Sequence, residues 1–407
     1  MLILSVNKFF WRKGGSETVF FDEMALLESK GHSVIPFSMK SEDNIESEYS
    51  DYFIEYVDYG KSGLASKLAS ASKIIYSFDA RKKMKLLLEH AVPEVAHFHI
   101  FQHQISPSVF KPIRERNIPI ILTLHDLKPM CPSYTMYTKG SICQKCKGGK
   151  FYNAVINKCT KGSTFGSMVN ALEMYFHKFM GYYNQVDKYI AVSQFYLEKM
   201  VEFGFPRDKL VYIPNSVNAN NYSKARSPSN YALYFGRLSE EKGIDTFIRA
   251  ASISPKIQHL VVGTGPLECA LRNQIKDMGL KNITLLGFKS GDELKKIIRE
   301  ALVVVVPSVW YENCPMTILE SFASYRPVIG SDIGGISELI SNKYDGFLFE
   351  PNNANQLAHY IEFLYSNPDI ADNYGDRGRA KIVEKFNEQN HVENLIKLYS
   401  SLIGEVD

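Results

Sequence analysis

Several features that would narrow the class of this 407-residue chain are missing from it. No run approaches the roughly 20 apolar residues that cross a bilayer, and the longest, near Leu302 to Val306, has the length of a strand. Met1 to Val6 is apolar but stops at Asn7-Lys8, too short for the core of a secretory leader. Both absences point to a cytoplasmic protein, in which the six cysteines stay reduced unless they hold metal. There is no Asp-x-Asp element, so a catalytic divalent metal is not expected. Gly263-x-Gly265 lacks the third glycine and the distal acid of a dinucleotide fingerprint, which argues against an oxidoreductase. No recognisable nucleic-acid module accompanies the small net charge of +3, so nucleic acid is not expected as a partner.

What is present is an ordinary globular composition, 45% hydrophobic and 22% charged, on a chain long enough for two or three domains. Short apolar runs alternate with helical patterns, which implies parallel, doubly wound sheets. In the first half the strands read as Leu2 to Val6, Ser33 to Phe37, Val95 to Ile100, Pro119 to Leu124, Lys188 to Val192 and Leu210 to Ile213. A helix fits Ser16 to Lys30, and the acidic stretch Ser41 to Asp58 reads as a mobile connection. Asn215 to Asn230 is polar and reads as the linker. A second strand series runs Tyr231 to Phe235, His259 to Val262, Ile283 to Leu286, Leu302 to Val306, Val328 to Ile329 and Phe347 to Phe349. A broken helical region, Asp369 to Asn387, and a last helix, about His391 to Leu402, follow. The expected domains are 1–214, with a cysteine-rich insert at 131–162, then a linker at 215–230, a second domain at 231–388 and a closing segment at 389–407.

The richest stretch is Glu312 to Glu338. Glu312 lies just past a buried strand, Pro315 suits the first turn of a helix, and Glu320 sits about a turn and a half inside it. Gly334-Gly335 follows the next strand. In an open α/β sheet the carboxyl ends of the strands are where ligands bind. One carboxylate near the rim and a second deeper can hold two hydroxyl groups of one elongated ligand. Each glutamate alone reads as surface charge or a helix cap.

This pattern resembles the E-x7-E signature of retaining nucleotide-sugar glycosyltransferases of family 4, with the GT-B fold. Further matches are Gly14-Gly15-Ser16-Glu17, Leu124-His125-Asp126, Tyr212-Ile213-Pro214-Asn215, Gly236-Arg237-Leu238 with Glu241-Lys242-Gly243, and Gly263-Thr264-Gly265-Pro266. The resemblance implies two Rossmann-like domains facing a central cleft, with the closing helix crossing back to the first. It implies that Arg237 and Lys242 bind the donor diphosphate, that Glu320 accepts from the ribose hydroxyls and that Glu312 contacts the transferred sugar. Gly334 and Gly335 would offer backbone N–H groups to the donor, Gly14 and Gly15 would face it from the other domain, and His125 would hydrogen-bond the donor sugar. The donor would be a UDP- or GDP-sugar and the acceptor a glycan or polyprenyl-linked chain, in surface polysaccharide or glycoconjugate synthesis. A nucleotide-sugar epimerase of the same fold and a non-catalytic nucleotide-sugar-binding protein are the alternatives. The sequence departs from the family at Asn313-Cys314-Pro315, at Ser321, and at Tyr325, where a helix-ending glycine is usual.

Two features stand outside that set. Four cysteines follow the spacing Cys131-x11-Cys143-x2-Cys146-x12-Cys159 in a lysine-rich segment with little apolar material, which suggests one structural zinc held by four thiolates. His97, His99 and His103 cluster in sequence, but packing at a strand end fits them better than ligation. Charge is also uneven. Residues 1–222 hold 27 Lys+Arg against 21 Asp+Glu, with Lys61, Lys67, Lys73, Arg81, Lys82, Lys83 and Lys85 in one helical region. Such a helix is either a solvated face or a peripheral contact with anionic lipid at the inner face of a membrane.

Overall fold

The computed structural model describes residues 1–57, 71–226 and 229–404. It divides into two compact units, one of residues 1–136, 144–213 and 392–407 and one of residues 137–143 and 214–391. Each is a six-stranded parallel sheet covered by helices.

In the first unit the strands are β1 (Leu2–Val6), β2 (Ser33–Phe37), β3 (Val95–Phe98) and β4 (Ile120–Leu124). A small antiparallel hairpin of the second unit, β5 (Tyr137–Thr138) and β6 (Ser141–Ile142), interrupts the chain before β7 (Lys188–Ala191) and β8 (Leu210–Tyr212). The sheet order is β2-β1-β3-β4-β7-β8, so direction of winding reverses between β1 and β3. β3 and β4 are buried on both faces, as an apolar run in a parallel sheet requires. β3 ends at Phe98, two residues earlier than the pattern suggests, because Ile100 already bonds to the loop after β1, donating to the Asn7 side chain and accepting from Lys8 N–H.

The second unit holds β9 (Tyr231–Phe235), β10 (Gln258–Val262), β11 (Ile283–Gly287), β12 (Val303–Val306), β13 (Val328–Ser331) and β14 (Gly346–Phe349). Its order is β11-β10-β9-β12-β13-β14, the 3-2-1-4-5-6 arrangement of dinucleotide-binding sheets, with the switch point between β9 and β12. Phe247, Ile248 and Ala251 of the helix Ile244–Ile253 pack with Leu357 and Ile361 of the helix Ala354–Ser366 in the core beside the sheet.

Four expectations change. The stretch from Ser41 is not a loose connection as far as it is described. Fully buried Phe53 joins Phe10 and Phe20, and Ile54 N–H donates to Ser38. Residues 215–230 group with the second unit rather than standing apart: the Asn215 amide donates to the Cys314 carbonyl at 3.1 Å, and Val217 N–H to Phe386 O at 3.0 Å. The region after Asp369 is one helix, Pro368–Lys385, not a broken one. Its glycines serve close packing: a Cβ on Gly375 would lie 2.1 Å from the Tyr325 carbonyl, and one on Gly378 would lie 2.3 Å from the Phe322 ring. Finally, Tyr325 itself takes the left-handed conformation (φ 60) that ends the helix Met316–Ala323. Arg326 N–H donates to Ser321 O and Tyr325 N–H to Phe322 O, a closure usually left to glycine, and the Arg379 guanidinium lies over the Tyr325 ring at 5.0 Å.

The closing helix, Glu388–Ile403, belongs to the first unit from Val392 onward, where Tyr399 is buried and bonds to His97. Among the described residues no helix is long and apolar enough to cross a membrane.

Candidate functional site

In the second unit, four loops meet at the carboxyl ends of β9, β10, β12 and β13. Glycines set their spacing. A Cβ on Gly243 would stand 1.9 Å from the Pro307 carbonyl, one on Gly263 1.9 Å from the Gly236 carbonyl, and one on Gly265 2.3 Å from the Leu238 carbonyl. Any side chain there would push the loops apart, so the backbone can come this close only as glycine. Val309 N–H to Glu241 O at 3.0 Å ties the loop after β9 to the loop after β12 across the switch point.

Glu312 sits in this junction and is almost wholly buried. Its Oε1 accepts from the Lys242 ammonium at 2.7 Å and from the Ser308 hydroxyl at 2.6 Å. Burial pushes its carboxyl up, but the charge of Lys242 and the hydrogen bonds outweigh burial and leave it below the ordinary value. Lys242 keeps 28% of its side chain exposed and lies over the Trp310 ring at 5.4 Å. Arg237, one turn earlier in the chain, is exposed, while its carbonyl accepts from the Tyr234 hydroxyl at 2.7 Å. Two cations thus stand beside the switch point, one fixed by a buried carboxylate and one on the surface.

Gly334 and Gly335 do something the sequence did not reveal. Gly335 N–H donates to the Glu312 carbonyl at 2.8 Å, so that amide braces the Glu312 loop and is not offered outward. A Cβ on Gly335 would fall 1.6 Å from the Asn313 carbonyl, and one on Gly334, left-handed at φ 59, 2.8 Å from the Glu312 carbonyl. Glu320 is half-buried in the helix Met316–Ala323 that follows this loop. The structure therefore brings Lys242, Glu312, Gly334 and Gly335 into one cluster, with Arg237 and Glu320 on adjoining elements.

The first unit places Gly14 at the N-cap and Gly15 at the first turn of the helix Gly15–Ser29, both exposed. His125, at the end of β4, stacks on His99 with centroids 5.2 Å apart, and its Nε2 is 2.9 Å from His99 Nδ1. The opposite nitrogen of His99 is 3.3 Å from the buried carboxylate of Glu23. His99 thus stands between the His125 ring and the Glu23 carboxylate. His97 bonds to Thr123 and Tyr399 through its two nitrogens, both at 2.7 Å. Nothing in the helical pattern sets Glu23 apart from other helix glutamates, so its place beside the histidines is legible only in the fold. A second buried group was equally hidden: Lys128 bonds to Glu173 at 2.6 Å and His103 Nε2 lies 3.4 Å from the same carboxylate. Burial raises the Glu173 carboxyl, yet Lys128 and His103 overcome it and hold it at about 2.

Among the described residues, the group of three metal-ligand side chains with ligand atoms within 4.8 Å of one another is Glu23, His97 and His99, and the hydrogen bonds of His97 account for its share of that cluster without a metal. Among the described residues, Cys131, Cys143, Cys146 and Cys159 form no such group, and none of them is in a disulfide. Cys131 lies 3.3 Å from the Ser133 hydroxyl, and Cys146 packs with Phe151, Ala171 and Met174.

The sequence matches two family patterns, Glycosyltransferase Family 4 over residues 13–221 and Glycosyl transferases group 1 over residues 219–381. It is 26% identical over 229 residues to the O-antigen chain mannosyltransferase C of Escherichia coli, covering 54% of this chain and 62% of that one. The chain spans about six tenths of the length of the curated relatives it matches first. Among solved structures it resembles the sucrose-phosphate synthase of Thermosynechococcus elongatus, with a TM-score of 0.76 at 19% identity and full coverage of both chains. It also resembles Anabaena HepE in complex with UDP and glucose, with a TM-score of 0.70 at 16% identity over 98% of this chain and 100% of that one. With the GT-B type of fold, and with one family pattern covering half of its length, the chain belongs to glycosyltransferase family 4.

Proposed function

We propose that this protein is a retaining glycosyltransferase that moves a sugar from a nucleoside-diphosphate donor to a glycan or polyprenyl-linked acceptor in surface polysaccharide synthesis. The observation that carries the reading is the Lys242–Glu312 pair, held by glycine-clamped loops at the β9/β12 switch point. An ammonium fixed there, with Arg237 beside it, suits a diphosphate. Negative charge grows on the diphosphate as the glycosidic bond to the donor breaks, so fixed cations stabilise the transition state more than the ground state. Glu312 positions Lys242 as well as meeting the transferred sugar, and Glu320 accepts from the ribose. On the family resemblance His125 contacts the donor sugar, and Gly14 and Gly15 stand at a helix start, where anions are favoured.

The reading draws further support from the O-antigen mannosyltransferase relative and from the UDP carried by the HepE structure. UDP- and GDP-sugars are the donor classes to test, and the working location is the cytoplasmic face of a membrane. Zinc on the four cysteines is a separate proposal. It requires the sulfurs to move together on loading, and elemental analysis of the purified protein tests it. The function is tested by nucleotide release over a panel of UDP-, GDP- and ADP-sugars. Release with none of them in the presence of polyprenyl-linked and glycan acceptors removes the proposal, and an inverted anomeric product removes its retaining part.

A further inference from the structure

The helix Thr164–Phe179 carries two unlike faces. One is buried, through Val169, Ala171, Met174 and His177. On the other, Met168, Leu172, Tyr175 and Phe179 recur at spacings of four, three and four, which places them in one stripe about 16 Å long. Phe179 is 86% exposed and Leu172 51%. The short helix Tyr152–Ile156 lies alongside: Tyr152 N–H donates to the Tyr175 hydroxyl, and the Phe151 and Tyr175 rings are 5.2 Å apart. It adds Ile156, 67% exposed. Isolated apolar residues on a surface need no explanation, but a row of large ones on adjoining helices does.

The charge of the segment that carries the stripe is almost wholly of one sign. Residues 144–181 contain six lysines and one carboxylate, Glu173, which is buried against Lys128. Lys147 is paired with Glu202. Among the described residues Lys145, Lys150, Lys158, Lys161 and Lys178 make no ion pair, and all five are exposed.

From this we infer that the face formed by the helices Tyr152–Ile156 and Thr164–Phe179 is where the protein lies on an anionic lipid bilayer. Projecting apolar side chains on a helix, with exposed lysines on the same segment, match a layer that is apolar inside and negative at its surface. A second copy of this chain fits badly, since self-pairing would set lysine against lysine. The inference moves membrane contact away from the basic segment around Lys61 to Lys85, of which Lys61 and Lys67 lie outside the described residues. On the helix Phe78–His90 of that segment the apolar residues Met84, Leu87 and Leu88 are buried, and the exposed apolar residues are two, Phe78 and Leu86, against Ile156, Met168, Leu172, Tyr175 and Phe179 on the face proposed here. The inference goes beyond the proposed activity and does not depend on it.

The test is sedimentation of the full chain with vesicles of phosphatidylcholine alone and with about a third phosphatidylglycerol, read without donor or acceptor. Wild type should bind the anionic vesicles at least about tenfold more tightly, and Leu172→Asp with Phe179→Asp should weaken that binding by about tenfold or more. Both positions are exposed, so the melting temperature should not move. Leu172→Ser with Phe179→Ser removes the apolar contact without adding charge and should weaken binding in the same direction. Lys158→Glu with Lys178→Glu should abolish the preference for anionic vesicles. Failure of wild type to bind, or binding by the Asp and Ser variants as tight as that of wild type, overturns the inference. So does a wild-type dimer in sedimentation velocity that the Asp variant dissolves, which would assign the face to self-association. Nucleotide release by these variants on a water-soluble acceptor reports on the proposed activity separately.

Discussion

Removing the Lys242 ammonium separates what the Lys242–Glu312 pair does for stability from what it does for a ligand. In Lys242→Ala the buried Glu312 carboxylate loses its 2.7 Å partner and keeps Ser308. Breaking a buried ion pair from one side costs about 3–5 kcal/mol when nothing replaces the partner. Here Lys242 is 28% exposed, so water can enter, and the expected loss is about 2 kcal/mol. In a unit of about 180 residues that lowers the melting temperature by roughly 4–8 °C.

The pH dependence carries its own sign. Glu312 is held below its ordinary carboxyl value in the folded protein, so its contribution is present above that value and is lost as pH falls through the lowered one. Without Lys242, burial acts with less opposition and the carboxyl moves up. The difference in melting temperature between wild type and variant should therefore be largest near neutral pH and shrink in acid, as the carboxyl protonates first in the variant and then in wild type. Adding Glu312→Gln removes the stranded charge, so the double variant should regain most of the lost stability. It should not regain affinity for a nucleoside diphosphate in calorimetry, because the cation is still missing. Turnover should fall by about 10²–10³ in both variants, the scale seen when one fixed donor to a developing charge is deleted. A double variant no more stable than the single one would refute the buried-charge argument. Unchanged diphosphate affinity would refute the placing of the donor here.

The two glutamates should behave differently: Glu320→Ala should weaken nucleotide binding, and Glu312→Gln should mainly lower turnover, read as separate changes in Kd and kcat. Lys128→Met should destabilise the first unit by about 3–5 kcal/mol in urea unfolding at pH 7, because Glu173 and Lys128 are both buried. That deficit should fade in acid as Glu173 protonates, whereas the wild-type pair, with Glu173 held at about 2, should persist well below pH 4.5. Glu23→Gln should lower kcat with little change in nucleotide affinity if His99 orients His125 as described, and equal losses in kcat and stability would make Glu23 structural only. Metal analysis of purified protein should give close to one zinc per chain if the four cysteines close around it, and four thiols titrating without denaturant would remove that proposal.

How much of this was legible in the sequence depends on the range of the interaction. The strands of both sheets could be read because burial on two faces turns a parallel strand into a continuous apolar run, as in Val303 to Val306. Lys242, Glu312 and the glycines could be named because each lies at a strand's carboxyl end, where backbone geometry limits the choice of residue. Their partnership could not be read, since Lys242 and Glu312 are 70 positions apart. The same distance hid Lys128 and Glu173, 45 apart, and Tyr399 and His97, 302 apart. Glycine misled in one place and informed in others for a single reason. Gly375 and Gly378 suggest a helix break from propensity alone, yet the neighbouring helix needs that space, as Gly335 gives space to the Asn313 carbonyl. A glycine marks a close approach, and only the fold says whether the approaching atom belongs to the chain or to a ligand. At Gly335 it belongs to the chain. The backbone there holds the loop that carries Glu312, and Glu312 pairs with the ammonium whose loss should weaken diphosphate binding.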